Sequence, residues 1–418
     1  MANKIYRNML QFGLIAIMIF MPFARGAVEI WSIAPVELVA LILVFLWLWK
    51  LNNNNEPFRR TGIDLALWLF VVLAVISCFF SIYKLISILE ILRLLMYVGV
   101  FYLVVNNFDR RMGFRLVATV IIMGAVISLL GLAQYSLGFN HSWWKPENFL
   151  ASTYVNHNHF AGYLEMAIPL AIAVVLGLKK ERAASIIKFL SLRVGLLLAI
   201  VAMLVAFLLS QSRGAWISLT ISLIVMNVVL IKKRALPKIS LYVLILFIFI
   251  AVAYMAAGTD DVAQRLRSVE QINNESFLSG REKMWQGSVE MIKANPIIGT
   301  GIGTFEWGFP RYRPEGLNVR ANFAHNDYLH MMTEMGLLAL PLMLWMIFSI
   351  ISAGFKWQDK SKIENSQSSF GLLEAVVLGS AVGILSLSLH GLVDFNFHIP
   401  ANMLTLSVLA GIISRRTQ

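Results

Sequence analysis

VGLLLAIVAMLVAFLLSQSRGAWISLTISLIVMNVVLIKKR, residues 194–234, decides the fold class. It holds most of one apolar run, 189–209, and all of a second, 213–231. Each is long enough to cross the ~30 Å hydrocarbon core as a helix of about 20 residues. Only a short polar link around Arg213 separates them, and the basic cluster Lys232, Lys233, Arg234 follows the second. Lipid admits such a pair because a helix satisfies its own backbone groups. The rest of the chain repeats the pattern at 8–24, 33–49, 63–80, 85–105, 116–135, 157–178, 239–257, 325–353, 370–389 and 399–414, which makes twelve predicted spans. The first run lacks a small-residue cleavage pattern and reads as an uncleaved anchor.

Composition agrees with this reading. Of 418 residues, 58% are hydrophobic and 14% charged, with mean hydropathy +0.73; soluble domains average about 45–50% and 25%. A large separate soluble domain is excluded, and the expected fold is all-α: a single polytopic membrane domain over 1–418. The net charge of +12 is first an orientation signal, and nucleic-acid binding is the poorer reading. The single cysteine, Cys78, excludes an intramolecular disulfide or a cysteine metal cage.

Positive charge is retained on the cytoplasmic side of short connections. With both termini inside, 22 Lys and Arg fall in inner segments, against Arg25, Lys84, Lys145 and Arg213 in the short outer ones. The segment 258–324 breaks the pattern of short links. It is predicted to be a long outer loop between the ninth and tenth spans that forms surface helices over an outward-open cavity. Loops of this length are usually functional or disordered, and Trp285, Phe305, Trp307, Phe309 and Tyr312 give this one apolar anchors.

All seven histidines, 141, 157, 159, 325, 330, 390 and 398, fall on the outer side in this topology, where imidazole titrates near neutrality. The plainer account is that His suits the interfacial zone. Arg213, within SQSRGAW, lies at the edge of the hydrocarbon, where a guanidinium is costly unless it faces a cavity or an anion; snorkelling to headgroups is the alternative. Ser279 and Glu282 have capping-box spacing, which predicts a helix from about 280 to 294 with Arg281 in its first turn, where free N–H groups favour an anion. His325 opens HNDYLHMMTEMG at the start of the tenth span and can act as a base toward a hydroxyl, oriented by Asn326, Asp327 or Glu334.

Weaker signals read as structure. His157 and His159 are two apart and would diverge on a helix, so no metal site is expected there. The GTGIG run from Gly299 lacks the lysine of a phosphate loop and reads as a tight turn. HGLVDFNFH, from His390 to His398, either lines a site or closes it. Glu90 and Arg93 look like an intramembrane pair, and Trp143 and Trp144 like part of the aromatic belt.

Taken together, SQSRGAW, SGREKMW, NPIIGTGIGTF, AHNDYLHMMTEMG and HGLVDFNFHIPAN resemble the O-antigen ligase and O-antigen polymerase superfamily of envelope glycosyltransferases. The ligase pattern of His, a small polar residue, nine residues and Gly is matched by His325, Asn326 and Gly336. Its usual second glycine is Ala339 here, and the leucine four residues after the family's arginine is Ile217.

The resemblance implies a GT-C-like enzyme of the bacterial inner membrane with its site facing the periplasm. It implies metal-independent, inverting transfer from an undecaprenyl diphosphate-linked glycan to an acceptor hydroxyl, without a cofactor. The acceptor would be lipid A core for a ligase, or a second lipid-linked glycan for a repeat-unit polymerase. Arg213 and Arg281 would bind the diphosphate and His325 would be the catalytic base. Arg265, Arg311, Arg313, Asn326, Asp327 and His390 are the supporting candidates. Apart from substrates, membrane lipids are the only expected partners. A transporter or flippase of an anionic lipid-linked substrate is the remaining alternative, but the inverted repeats and broken helices of transporters are not evident.

Overall fold

The computed structural model describes residues 2–54, 57–138, 149–179, 185–242, 245, 277–317, 320–356 and 370–416. The described elements are all helical: α1 (Ala2–Phe23), α2 (Ile30–Asn54), α3 (Asp64–Phe79), α4 (Lys84–Asn107), α5 (Arg110–Leu137), α6 (His157–Gly177), α7 (Ile186–Leu209), α8 (Arg213–Lys232), α9 (Phe277–Ala294), α10 (Asp327–Met335), α11 (Ala339–Phe355), α12 (Leu372–His390) and α13 (Pro400–Arg416). Eight of these, α1, α2, α4 to α8 and α12, are long and apolar enough to cross a membrane, and α3 and α11 are shorter apolar helices. The chain is therefore a polytopic helical membrane protein. Most of the predicted ninth span, 239–257, lies outside the described residues. So do 258–276 with Arg265, and His141, Trp143 and Trp144.

Two sequence expectations change. The run 325–353 is two helices rather than one. Gly336, at φ 81°, turns the chain between α10 and α11, and a Cβ there would sit 2.2 Å from the carbonyl oxygen of Ile297. Only glycine allows both the left-handed backbone and that close approach. Secondly, α9 starts at Phe277 rather than near Gly280, so Arg281 lies in its second turn, past the free amides of the first.

The bundle is organised around α6, which is apolar on all sides, as a central helix must be. From Asn158 to Ala171 every residue of α6 is buried. Its closest neighbour is α12, whose Gly379 and Gly383 are four apart and let the backbones touch. A Cβ on either would lie 2.8 Å from a Cα of α6, at Leu170 and Met166 respectively. Small residues at this spacing allow helices in lipid, where no hydrophobic force joins them, to gain contact by close packing. The approach brings Glu165 of α6 against Ser386 and His390 of α12.

Helix ends sort into two sets. At one end of the bundle Arg7 pairs with Asp109, Arg59 binds Asn106 and Arg415 caps the carbonyl of Val105. At the other, the start of α6, the α7–α8 link, the start of α10 and the end of α12 come together. Glu90 and Arg93 pair within α4 at 2.5 Å, and Glu37 of α2 joins them at 3.0 Å.

Replacing Gly383 by Val should force backbone apart from backbone and destabilise the protein by roughly 1–3 kcal/mol or more. Gly113→Ala, at a helical position with open space around it, should be neutral or stabilising by up to about 1 kcal/mol. Thermal unfolding of the two purified variants beside the parent checks both signs.

Candidate functional site

The site is built around the turn that follows α12. His390 ends that helix, its carbonyl accepts the N–H groups of Val393 and Asp394, and the Asp394 side chain is thereby turned inward, 1% exposed. Its Oδ1 accepts the N–H of Phe395 at 2.9 Å, and its Oδ2 accepts Arg281 Nη2 of α9 at 3.2 Å. Two imidazole nitrogens face the same carboxylate, His325 Nδ1 at 3.7 Å and His159 Nε2 at 3.9 Å. Both are buried and without hydrogen-bond partners. At these separations the contacts are electrostatic rather than hydrogen bonds. Burial alone would raise the Asp394 carboxyl, but His325, His390 and His159 outweigh it and hold the group well below the usual carboxylate range. Burial lowers Arg281, opposed by Asp394, yet a guanidinium stays protonated in any protein setting.

His325 is held from three directions. Its backbone is left-handed, at φ 50°, a conformation that costs a non-glycine residue on the order of 1–2 kcal/mol and tends to mark functional positions. Trp285 of α9 donates to its carbonyl at 3.3 Å. Asn326, the next residue, caps α10 by accepting the N–H groups of Tyr328 and Leu329, and its amide donates to the carbonyl of Leu392. The N–H of Asp327 then binds the carbonyls of Gly391 and Asp394. The His-Asn pair is thus stitched to the turn that carries Asp394.

This corrects the expected partners of His325. Asp327 does not orient it: its carboxylate takes His398 Nδ1 at 2.8 Å and the N–H of Phe397 at 3.1 Å. Burial raises the Asp327 carboxyl, with His398 pulling the other way; burial lowers His398, but Asp327 and Glu334 raise it overall. Nor does Glu334, which bonds His330 Nε2 at 3.1 Å and the N–H groups of Gly303 and Phe305. The GTGIG run is accordingly a docking loop, its amides taken by Glu334, Thr333 and Ser77 of α3. Asp394, which the HGLVDFNFH stretch contains but does not single out, is the carboxylate that faces His325.

Arg213 opens α8. Its side chain is exposed and makes no ion pair among the described residues, while Gly214 beside it packs on Val393 and the His390 ring. Arg281 and His325 therefore meet the 390–394 turn at Asp394, and the residue after Arg213 packs on the same turn. Arg311 and Arg313 do not join them. Both are exposed, and Arg313 lines a separate pocket of about 350 Å³ with Trp307 and the Arg320–Glu306 pair.

A second cavity, of about 770 Å³, has His159 and Phe395, which pack edge to face, in its lining. One end is lined by Glu90, Arg93, His330, Glu334 and His398, and the walls by apolar residues such as Met343, Ile347, Met403 and Leu406. His330, Glu334 and His398 bring ligand atoms within 4.8 Å of one another, yet they do not fit a metal. His330 Nδ1 accepts the N–H of Ala324 at 3.3 Å, so the ring proton sits on Nε2 and is given to Glu334. A ligand nitrogen would need that lone pair free.

Six histidines lie among the described residues, and four of them face a carboxylate of another element. His157 and His159 do diverge, the former bonding the carbonyl of Ser210 at 2.7 Å. No curated protein matches the chain. Residues 198–344, which include Arg213, Arg281, His325 and Gly336, match the family model described as O-antigen ligase, and this match supports placing the chain in the O-antigen ligase family.

Proposed function

We propose that the protein transfers a glycan from undecaprenyl diphosphate to an acceptor hydroxyl at the periplasmic face of the bacterial inner membrane, in the manner of an O-antigen ligase. The observation that carries this reading is the gathering of His325 and Arg281 on buried Asp394, beside the Arg213 turn. Its Nδ1 faces the carboxylate, which leaves the opposite ring nitrogen, Nε2, for the acceptor. That nitrogen takes the hydroxyl proton as the oxygen attacks the anomeric carbon. The bond from that carbon to the phosphate oxygen breaks from the opposite face, with inversion, and its electrons leave with the diphosphate. Guanidinium groups at Arg213 and Arg281, the latter held by Asp394, stabilise that charge, and the scheme assigns no step to a metal or cofactor. The apolar walls of the adjoining cavity suit an isoprenoid chain, which supports a lipid-linked donor.

Reconstitution with an undecaprenyl diphosphate glycan and two acceptors offered separately, lipid A core and a second lipid-linked glycan, tests the reading. A single addition to lipid A core is the expected product. Lengthened lipid-linked chains would instead make the protein a polymerase, and no product with either acceptor would reject glycosyl transfer.

His325→Ala should lower transfer by about 10²–10⁴-fold, the usual worth of a general base, while the affinity for the lipid donor stays within about threefold; unchanged transfer would remove the assigned base. Asp394 stays ionised far below neutral pH, so it contributes to stability throughout the working range and is lost only in strong acid. Asp394→Asn should lower transfer, because His325 Nδ1 loses the carboxylate that faces it, and unchanged transfer would show that the carboxylate does not act on the base.

A further inference from the structure

One buried ion pair has no part in the scheme above. Glu165 lies roughly two turns inside α6, wholly buried. An ionisable group at such a depth is costly and is kept for a reason. Its Oε1 accepts Ser386 Oγ at 2.9 Å and its Oε2 lies 2.7 Å from His390 Nδ1. The carboxylate thus fixes the ring, and the question is what the other ring nitrogen does.

A purely structural histidine, 1% exposed, would be expected to satisfy both nitrogens. His390 Nε2 has no hydrogen-bond partner among the described residues. It faces the first turn of α8: a Cβ built on Gly214 would lie 3.2 Å from Nε2 and 3.0 Å from Cδ2. A side chain there would crowd the ring as well as Val393 Cγ2, at 2.8 Å, so glycine gives the imidazole its close approach to the backbone. The same turn carries a second unfilled group. Ser212 is the N-cap of α8 but makes no capping bond, and its buried hydroxyl has no partner. The first amides of a 20-residue helix are therefore not closed by a side chain. Arg213 stands beside them, exposed. Nearby Asp394, which would repel an anion, is offset by Arg281.

We propose that His390 is a further diphosphate-binding residue at the N-terminus of α8 and that Glu165 is its positioning residue. The imidazolium donates from Nε2 to a phosphate oxygen, next to Ser212 Oγ, the free amides and Arg213, and Glu165 balances its charge from below. The assignment rests on the diphosphate-transfer reading and adds to it a cation that approaches from inside the bundle.

Undecaprenyl diphosphate, the leaving group itself, serves as the probe, with binding to the full-length protein and inhibition of transfer as readouts. Glu165→Gln and His390→Ala should each weaken its binding by about tenfold or more, as for a lost charge-assisted hydrogen bond. The double variant should be no worse than His390→Ala, because the two residues act as a unit. A merely structural role would lower the unfolding temperature and leave the affinity of the folded protein unchanged, which would overturn the proposal. Should these variants fail to fold, Gly214→Ala decides, since it keeps the pair and intrudes between ring and helix: the same loss is expected, and unchanged affinity refutes it. Arg213→Ala separates the two levels. If it too leaves undecaprenyl diphosphate binding intact, the diphosphate reading fails. If it weakens binding while the Glu165 and His390 variants do not, only this inference falls.

Discussion

The contact between Asp394 and Arg281 is the constraint on which the rest of the site depends. It joins α9 to the turn after α12, more than a hundred residues away, and it does so from a position with almost no access to solvent. A carboxylate there is tolerated only because a guanidinium and two imidazoles face it; unpaired, it would be strongly destabilising. The low dielectric that makes the charge costly also makes its field strong at short range. The same group that holds α9 down on the bundle therefore sets the electrostatic environment of His325.

The pattern recurs through this end of the bundle. Glu165 faces His390, Asp327 faces His398 and Glu334 faces His330. Each pairs an acid with a weak base whose charge can follow that of its partner, so little net charge is buried. Their tasks differ. Glu334 spends both oxygens on backbone amides of the glycine loop and ties it to α10, whereas Asp327 fixes the segment 397–398. Glu165 leaves one imidazole nitrogen open, and Asp394 leaves two at a distance too long for a hydrogen bond. The open nitrogens of His325 and His159 face the carboxylate that holds Arg281, whereas His330 and His398, bonded to Glu334 and Asp327, line the cavity.

Close helix packing makes this economy workable. Because Gly379 and Gly383 bring α12 onto α6, the short side chain of Ser386 reaches Glu165 directly, and Gly162 of α6 gives Asn402 of α13 the same close approach. Gly336 has the corresponding task outside the bundle, where it lets the chain turn from α10 into α11 against the backbone at Ile297. The His-to-Gly spacing of the motif is thus also the length of α10 plus its stop.

The amino-acid sequence by itself determined the helical, membrane-embedded class and most span positions, because length and hydrophobicity act locally and bilayer thickness is uniform. It also marked Arg213, Arg281 and His325 through their short motifs. It did not reveal that α9 begins before its capping box, that the tenth apolar run breaks at Gly336, or that Asp394 rather than Asp327 or Glu334 faces His325. Those outcomes depend on which backbone or carboxylate arrives from a distant helix. Only the tertiary structure decides that, since proximity across a helix crossing leaves no period in the sequence, and the charge of a buried acid is set by neighbours that folding alone supplies.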